Sequence, residues 1–139
     1  MKVKIKNIKS EKDLKFAFAI RKKVFVEEQN VPEDIEWDEF EYNCNHILAE
    51  FAGNPVGTAR WRKTEKGIKL ERFAVLRDFR SNGIGRQLVK FILKELKGKH
   101  NIYLHAQEPV VKFYEQLGFK REGERFFEAN IPHWIMFLD

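Results

Sequence analysis

The sequence lacks the features that would point to a disulfide framework, a metal site or a membrane span. It contains a single cysteine, Cys44, so no disulfide can form within the chain. The four histidines, His46, His100, His105 and His133, show no spacing typical of metal ligands, and we expect no bound metal. No apolar run approaches the roughly 18 residues that cross a bilayer, so we expect no membrane association.

The amino terminus is basic, but it is not followed by the uninterrupted apolar stretch of a signal peptide, which favours a cytoplasmic protein. The chain has a hydrophobic content of 43%, with 13 phenylalanines and no low-complexity stretch, so it has enough apolar side chains for a packed core. A length of 139 residues is the usual size of one domain. We therefore predict a single domain over residues 1–139 with one functional site.

Charge is distributed unevenly along the chain. The formal net charge is +5, yet residues 27–41 contain no Lys or Arg. This stretch holds eight acidic residues: Glu27, Glu28, Glu33, Asp34, Glu36, Asp38, Glu39 and Glu41. One interpretation is that it attracts a cation while the basic remainder holds an anion; the other is a solvated acidic loop. The acidic stretch and the lack of a nucleic-acid motif argue against nucleic-acid binding.

The first half of the chain predicts a strand, a long helix and three further strands. Lysines alternate with Val3 and Ile5 in a strand pattern, and a helix begins after Ser10. This helix should end near Asn30-Val31-Pro32, because proline cannot continue it. Turns at residues 53–55 and 65–67 then separate three strands, which we predict to form an antiparallel meander.

The fourth strand changes its phase. Ile68 and Leu70 set one alternation of apolar residues, whereas Phe73 and Val75 set the opposite one. A β-bulge near Glu71-Arg72 would explain this change. Alternatively, Ala74 and Leu76 continue the first phase without a bulge.

The second half predicts a parallel crossover. Apolar residues at helical spacing from Gly83 to Lys97 indicate a helix, and a strand follows at Ile102–Gln107. A short helix starts at Pro109, and two strands, about Phe119–Glu124 and His133–Leu138, end the chain. These elements predict an α+β fold with one mixed sheet.

A glycine-rich turn, residues 80–86 (Arg-Ser-Asn-Gly-Ile-Gly-Arg), precedes the clearest helix. The first N–H groups of a helix lack intrahelical partners and carry the positive end of the helix dipole, so phosphate oxygens fit there. Gly83 and Gly85 let a ligand approach the backbone, and Arg77, Arg80 and Arg86 would neutralise a diphosphate. Glycine is also common at helix starts, so this pattern alone does not decide whether an anion binds there.

In combination, these motifs resemble the GNAT superfamily of acetyl-CoA-dependent N-acetyltransferases. The signature includes the R-x-x-G-x-G turn after the fourth strand and a later helix that ends in Tyr114-Glu115-Gln116-Leu117-Gly118-Phe119. Residues 21–29, Asp38 with His46, and residues 131–136 resemble the bacterial YjcF-like and ElaA-like branch. The resemblance implies one mostly antiparallel sheet of six to seven strands, splayed between strands 4 and 5, with about four helices.

The resemblance also implies an acetyl-CoA site. The backbone of the fourth strand would pair with the pantetheine arm, the glycine-rich turn would hold the pyrophosphate, and the Gln107 amide would bond the pantetheine. The implied cofactor-binding residues are Phe73, Ala74, Val75, Arg80, Ser81, Asn82, Gly83, Ile84, Gly85, Arg86, Gln107 and Tyr114.

Two residues are the predicted catalytic groups. Tyr114 matches the tyrosine that protonates the departing thiolate in the superfamily, although helical spacing alone also fits a core aromatic residue. Glu71 is the first candidate for the general base, followed by His105 and His133. The alternative for Glu71 is a strand carboxylate that pairs with Arg60, Arg62 or Arg72, and His133 alone more often has a structural role.

The implied reaction is direct transfer of acetyl from acetyl-CoA to a primary amine, without a covalent intermediate. The connection after the first helix borders the acceptor pocket in the superfamily, so we expect acidic side chains there to orient a cationic amine. The predicted acceptor residues are Glu27, Glu28, Trp37, Asp38, Glu41 and His133. A non-catalytic acyl-CoA-binding module is the alternative, and exposed edge strands allow a homodimer.

Overall fold

One mixed sheet of seven strands forms the centre of the computed structural model, which describes residues 2–38 and 41–139. The strands are β1 (Val3–Asn7), β2 (Asn45–Phe51), β3 (Asn54–Thr64), β4 (Gly67–Val75), β5 (Ile102–Gln107), β6 (Phe119–Glu128) and β7 (Ile131–Leu138). Their order in the sheet is β1-β2-β3-β4-β5-β7-β6, and only β4 and β5 are parallel neighbours. The predicted α+β fold with a mostly antiparallel sheet is confirmed.

Four α-helices flank the sheet in the described part of the chain. They are α1 (Glu11–Arg21), α2 (Glu33–Glu36), α3 (Ile84–Glu95) and α4 (Val111–Glu115). Short 3₁₀ turns at Arg77–Phe79 and Glu108–Val110 precede α3 and α4. None of the helices in residues 2–38 and 41–139 is long and apolar enough to span a bilayer.

The first helix differs from its prediction after Arg21. Ser10 begins α1 as predicted, since its side chain accepts a hydrogen bond from the Asp13 amide at 3.2 Å. From Lys22 to Glu28, however, the chain continues as a π-helix, in which the Gln29 amide bonds the Val24 carbonyl five residues earlier. The wider π turns change the helical phase, so Val24 still packs in the core while Gln29 reaches β5.

The sheet separates between β4 and β5. These strands pair only at Ile68–Leu70 with Ile102–Leu104, and no pairing between them continues beyond Leu70 in the described residues. The splayed sheet predicted from the family resemblance is therefore present. The separation leaves the second half of β4 with an unpaired edge on the β5 side.

A β-bulge in β4 coincides with this separation. Arg60 of β3 pairs with Glu71 and Thr58 pairs with Ala74, so one residue of β3 opposes two of β4. Arg72 sits in the bulge with a φ of 59°. The bulge was one of two alternatives in the sequence, and the structure confirms it. Because of the bulge, Phe73 lies on the same face as the earlier core residues of β4, while Ala74 faces α1.

The larger core cluster lies between the sheet and α3, and a smaller cluster lies under α1. Ile84, Leu88 and Ile92 form the buried stripe of α3, as the helical spacing predicted. Gly57 of β3 permits the close contact between helix and sheet, because a Cβ atom there would lie 3.3 Å from both the Ala74 carbonyl oxygen and Ile84. The start of α3 is therefore fixed against the bulged strand.

The last hairpin is longer than predicted. Strand β6 runs to Glu128 rather than Glu124. Its pairing with β7 is irregular between Glu122 and Phe126, around Gly123, but the strand continues beyond this point. Ala129 and Asn130, both with positive φ, form the two-residue turn to β7. The extension brings Glu128 beside β5.

Buried arginines hold the second half of the acidic stretch, a role that neither interpretation of its sequence included. Arg21 and Arg60 are 1% and 0% exposed. Arg21 bonds Glu36 at 2.8 Å and Glu41 at 2.7 Å, and Arg60 bonds Glu41 at 3.0 Å. Arg60 also pairs with Asp38 and with Glu71 of β4. Glu36, Asp38 and Glu41 are therefore paired within the chain, whereas Glu27, Glu33 and Asp34 are exposed. Glu39 lies outside the described residues.

Replacing Arg60 with alanine should destabilise the protein strongly. The Arg60→Ala variant leaves three carboxylates without their shared buried cation, and breaking such a pair costs about 3–5 kcal/mol. Urea unfolding followed by circular dichroism measures the free energy of unfolding. Arg125→Ala is the matched control, because Arg125 makes an exposed contact with Glu108 whose loss costs about 0–1 kcal/mol. Equal stabilities for the two variants would contradict the prediction.

Candidate active site

A cavity of about 690 Å³ passes through the gap between β4 and β5. On the α3 side its wall contains the glycine-rich turn and the start of α4, and on the other face it contains the π-helix and the loop leading to α2. Residues of β4, β5 and β7 line the passage between the two sides. A molecule bound there would contact both faces of the sheet.

The glycine-rich turn forms one end of this cavity. Gly83 caps α3 with a φ of 78°, and no side chain caps the helix. The first amide of α3 with an intrahelical partner is that of Gln87, which bonds the Gly83 carbonyl at 3.0 Å, so the preceding amides are available. A Cβ atom on Gly83 would meet nothing within 4 Å, which shows that the space before the helix is open.

Side chains around the turn fix its shape. The Asn82 amide donates to the carbonyl oxygens of Phe79 at 3.2 Å and Arg80 at 3.1 Å. Ser81 has a φ of 66°, which reverses the chain before the helix. Asn82 is not part of the cavity wall, whereas Ser81, Gly83, Ile84, Gly85 and Arg86 are. Asn82 therefore stabilises the turn through hydrogen bonds from its side chain to backbone carbonyls.

The arginines near the turn differ in their partners. Arg86 is exposed and makes no ion pair with residues 2–38 or 41–139. Arg80 donates to the Val75 carbonyl at 2.8 Å and to both carboxylate oxygens of Glu28 at 2.9 and 3.0 Å. Arg77 lies 3.4 Å from the same carboxylate. The Arg80 hydrogen bonds lower the pKa of Glu28, so Glu28 neutralises part of the positive charge at the turn.

Three predicted cofactor residues of β4 lie where the strand has separated from β5. Phe73, Ala74 and Val75 all line the cavity. On the β3 side, Ala74 and Val75 pair with Thr58 and Gly57, but no pairing with β5 reaches them in the described residues. The open edge of β4 therefore offers backbone groups to an extended ligand.

Tyr114 belongs to both the core and the cavity wall. Its ring makes edge contacts with Phe73 at 6.1 Å, Phe113 at 5.0 Å and Phe119 at 6.0 Å between centroids. Its hydroxyl makes no hydrogen bond with any described residue. Burial raises the pKa of Tyr114, so the hydroxyl keeps its proton throughout the neutral range. The ring packs as the core alternative has it, and the residue also lines the cavity.

Gln107 pairs with a residue that was not predicted. Its amide nitrogen donates to Gln29 at 2.9 Å, and the Gln29 amide nitrogen lies 3.4 Å from the Gln107 oxygen. This reciprocal contact joins the end of the π-helix to the end of β5. Both residues line the cavity, so the Gln107 amide remains beside the space assigned to a ligand.

Glu71, the predicted base, is buried among cations. Its carboxylate bonds Arg60 at 3.0 Å and Arg62 at 2.6 Å, and Lys69 lies 3.2 Å away. Burial alone would raise the pKa of Glu71, but the charges of Arg60 and Lys69 and the Arg62 hydrogen bond lower it below the usual value. A carboxylate stabilised in this way is a weaker base, and these contacts match the alternative of a paired strand carboxylate.

Most of the predicted acceptor residues lie away from the cavity. Trp37 packs against Phe18 and lies 5.0 Å from the Arg21 guanidinium, while Asp38 pairs with Arg60. The wall includes neither of these residues nor Glu27, Glu28 or Glu41; of the predicted acceptor residues it includes His133. Arginines within the chain bind Glu28, Asp38 and Glu41, whereas Glu27 is exposed.

The wall also contains residues that the sequence analysis did not assign to the site. They include Gln29, Glu36, Lys69, Arg72 and Glu128. Glu36 belongs to the acidic stretch and was therefore within the predicted region, but the predicted end of β6 excluded Glu128. Within the described residues, no group of three or more His, Cys, Asp or Glu side chains is arranged to hold a metal ion.

Comparison with known proteins identifies the fold family. The family model of the acetyltransferase (GNAT) domain matches residues 9–139. The chain belongs to the GNAT acetyltransferase family. A protein described as an uncharacterized N-acetyltransferase, YjcF of Bacillus subtilis, is 41% identical over 134 residues, which cover 94% of this chain and 96% of that protein. The predicted family is thus confirmed.

Solved structures agree with this assignment. The crystal structure of Escherichia coli ElaA superposes with a TM-score of 0.88 at 26% identity, covering 99% of this chain and 100% of that one. The PaiA N-acetyltransferase of Thermoplasma acidophilum, solved with coenzyme A, has the same fold with a TM-score of 0.76 at 16% identity. That alignment covers 99% of both chains.

Acetyl-CoA is the acyl donor of GNAT enzymes, and the residues of this chain fit it. A diphosphate needs amide donors, positive charge and space, and these are provided by the uncapped start of α3, by Arg86 and by the opening beside Gly83. Glu28 is the one acidic group that contacts the arginines of this turn within the described residues.

Removing the charge of Glu28 should strengthen coenzyme A binding. In Glu28→Gln, Arg80 and Arg77 no longer share a carboxylate and are free to bind the pyrophosphate. Because an exposed ion pair contributes about 0.2–1 kcal/mol, we expect the dissociation constant to fall by a factor of about 1.4 to 5. Isothermal titration calorimetry with coenzyme A measures this change.

Glu27→Gln is the control for this experiment. Glu27 is exposed, lies next to Glu28 and makes no ion pair with the described residues. Its replacement removes the same charge without freeing an arginine, so the affinity should stay close to that of the wild type. An equal gain in both variants would show that net charge, not the Arg80 contact, controls binding.

Proposed function

We propose that this protein is an acetyl-CoA-dependent N-acetyltransferase that transfers the acetyl group directly to a primary amine. The observation that carries the proposal is the cavity through the separated strands, which has the glycine-rich turn at one end and Tyr114 in its wall. A donor bound at the turn would extend along β4 into the gap. An acceptor would enter from the opposite face of the sheet.

The chain's own groups divide the donor site into two parts. Amides of Gly83, Ile84 and Gly85 with the Arg80 and Arg86 side chains would hold the pyrophosphate. Backbone groups of Phe73, Ala74 and Val75 and the amide of Gln107 would bond the pantetheine arm. Acetyl-CoA supplies an activated thioester whose acetyl group would then lie in the gap between β4 and β5.

Tyr114 would act as the general acid. Its hydroxyl is protonated at neutral pH because burial raises its pKa, and it has no hydrogen-bond partner among the described residues. It is therefore available to donate its proton to the sulfur that leaves when the acceptor attacks. A correctly placed acid of this kind contributes about 10²- to 10⁴-fold to the rate.

Transfer without a covalent enzyme intermediate is supported by the environment of Cys44. This residue is not part of the cavity wall, and burial raises the pKa of its thiol to about 11. Its neighbour His46 lies 3.3 Å away, but that imidazole also bonds the Glu41 carbonyl at 2.6 Å. A thiol that stays protonated is a poor nucleophile, so direct attack by the amine is favoured.

Replacing Tyr114 with phenylalanine should slow transfer without weakening donor binding. We expect Tyr114→Phe to reduce kcat about 10²- to 10⁴-fold because the leaving sulfur loses its proton donor. The measurement is thiol release from acetyl-CoA across a library of primary amines that includes polyamines, amino sugars, aminoglycosides and lysine peptides. The dissociation constant of coenzyme A should change little, since the ring and its core contacts remain.

Tyr42→Phe is the matched control, because Tyr42 is 77% exposed and is not part of the cavity wall. It should release thiol at the wild-type rate. If Tyr114→Phe also keeps the wild-type rate on every accepted amine, the acid role is wrong. If the wild type acetylates no amine in the library while still binding coenzyme A, the transfer reaction itself is not supported.

Arg86→Ala should weaken coenzyme A binding. Arg86 lines the cavity at the start of α3 without an ion pair to any described residue, so its charge is available to the diphosphate. Loss of charge-assisted hydrogen bonds worth about 1.5–3 kcal/mol predicts a dissociation constant about 10- to 150-fold higher. Calorimetry with coenzyme A measures it, and Arg125→Ala, which is outside the cavity wall, should bind as the wild type does. Unchanged affinity in Arg86→Ala would place the pyrophosphate elsewhere.

A further inference from the structure

Three titratable side chains from neighbouring strands meet on the acceptor side of the cavity. They are His105 of β5, Glu128 of β6 and His133 of β7, and all three belong to the cavity wall. Nδ1 of His105 lies 3.1 Å from the Glu128 carboxylate, and Nε2 of His133 lies 3.9 Å from the same oxygen. The extension of β6 beyond its predicted end brings this carboxylate to the two imidazoles.

The contact with Glu128 determines which nitrogen of His105 carries the proton. An ionised carboxylate only accepts hydrogen bonds, so Nδ1 of His105 is the donor. Burial would raise the pKa of Glu128, but the His105 hydrogen bond and the charges of His105 and Lys69 lower it to about 2. The carboxylate is therefore ionised throughout the neutral range. Nε2 of His105 then has a free lone pair, and His105 makes no other hydrogen bond with the described residues.

Aromatic contacts hold the two imidazoles in place. The Phe126 ring makes an edge contact with His105 at 5.0 Å and stacks on His133 at 5.9 Å. His133 is fixed further by its own Nδ1, which donates to the Ile131 carbonyl at 2.7 Å. His105 is thus oriented by a ring on one side and a carboxylate on the other, the arrangement that a base needs to receive a proton repeatedly at one atom.

Glu71 is less suited to the same task. Its carboxylate lies among Arg60, Arg62 and Lys69, and these cations stabilise the charged form. Proton uptake would cost the favourable interactions with these neighbours. His105, in contrast, gains an interaction when it becomes an imidazolium, because the Glu128 carboxylate is adjacent.

We propose that His105 is the general base of the acyl transfer and that Glu128 is its positioning residue. The inference rests on the proposed function, since it assigns the proton acceptor for the same amine. Nε2 of His105 takes one proton from the acceptor ammonium and later releases it to solvent. The neutral nitrogen forms a bond to the acetyl carbonyl carbon as the bond from that carbon to sulfur breaks. Tyr114 protonates the sulfur and regains a proton from the acylated nitrogen.

The charged and titratable groups around His105 come from four strands. They are Lys69 and Glu71 of β4, Tyr103 of β5, Glu128 of β6 and His133 of β7. Lys69 is engaged with Glu71, and the Tyr103 hydroxyl bonds Thr64 at 2.6 Å. Glu128 is therefore the carboxylate that acts most directly on the His105 imidazole.

The test combines kinetics with a measurement on the free protein. The ratio kcat/KM is measured from pH 6 to 10 for the wild type, His105→Gln, Glu128→Gln and His133→Gln, using the fastest amine of the thiol-release library. The affinity for coenzyme A and the Tm of each variant are measured alongside. Long-range ¹H–¹⁵N spectra of the wild type without ligands report which imidazole nitrogen of His105 carries the proton.

We expect His105→Gln to lose about 10²-fold in kcat/KM at pH 7, with coenzyme A affinity unchanged. The difference in kcat/KM between His105→Gln and the wild type should decrease as the pH rises, because the amine then becomes neutral in solution without a base. Glu128→Gln, a change in an exposed side chain, should lose about tenfold in kcat/KM at pH 7, because the His105 imidazole loses the partner of its Nδ1. The spectra should show His105 protonated at Nδ1.

Several results would overturn the inference. A wild-type profile for His105→Gln, a loss that is the same at every pH, or an Nε2-protonated imidazole would each remove His105 as the base. A pH-dependent loss in His133→Gln alone would assign the role to His133 instead. If His105→Gln does not fold, an unchanged profile in Glu128→Gln overturns the proposal. If the wild type transfers acetyl to no amine, the proposed function fails, whereas the outcomes above leave it intact.

Discussion

The separation of β4 from β5 is the constraint on which the rest of the site depends. The two strands pair over three residues on each side, and the bulge at Arg72 coincides with the point where pairing ends. Main-chain groups that would otherwise bond within the sheet are then available to a ligand, and both faces connect through one opening. The same bulge returns Phe73 to the α3 face, so the core stays continuous although the sheet is open.

Local signals in the sequence were sufficient for much of this arrangement. The glycine turn, the apolar stripe of α3 and the phase change in β4 each depend on residues close together in the chain, and all were recognised. The arginines that pair with the acidic stretch were not recognised, because Arg21 and Arg60 come close to it only after α1 and β3 have packed together. The π-helical turns also escaped recognition, since their hydrogen bonds span only one residue more than those of an α-helix.

The buried arginines explain why the acidic stretch lies where it does. Arg60 contacts carboxylates from the connection after α2 and from β4, and it therefore links this connection to the sheet beside the cavity. Desolvation makes such a cluster costly unless every charge is paired, so it tolerates few alternative arrangements. Glu128 differs, because its pairing with His105 lies at the surface of the opening and leaves one imidazole nitrogen uncommitted.

The amide pair of Gln29 and Gln107 affects how the two layers respond to an incoming molecule. Each amide is both a donor and an acceptor, so any ligand with a peptide-like group can substitute for one partner without a net loss of hydrogen bonds. A ligand can therefore replace either residue in the hydrogen bonds that join the π-helix to β5. The charged cluster around Arg60 takes no part in these two hydrogen bonds.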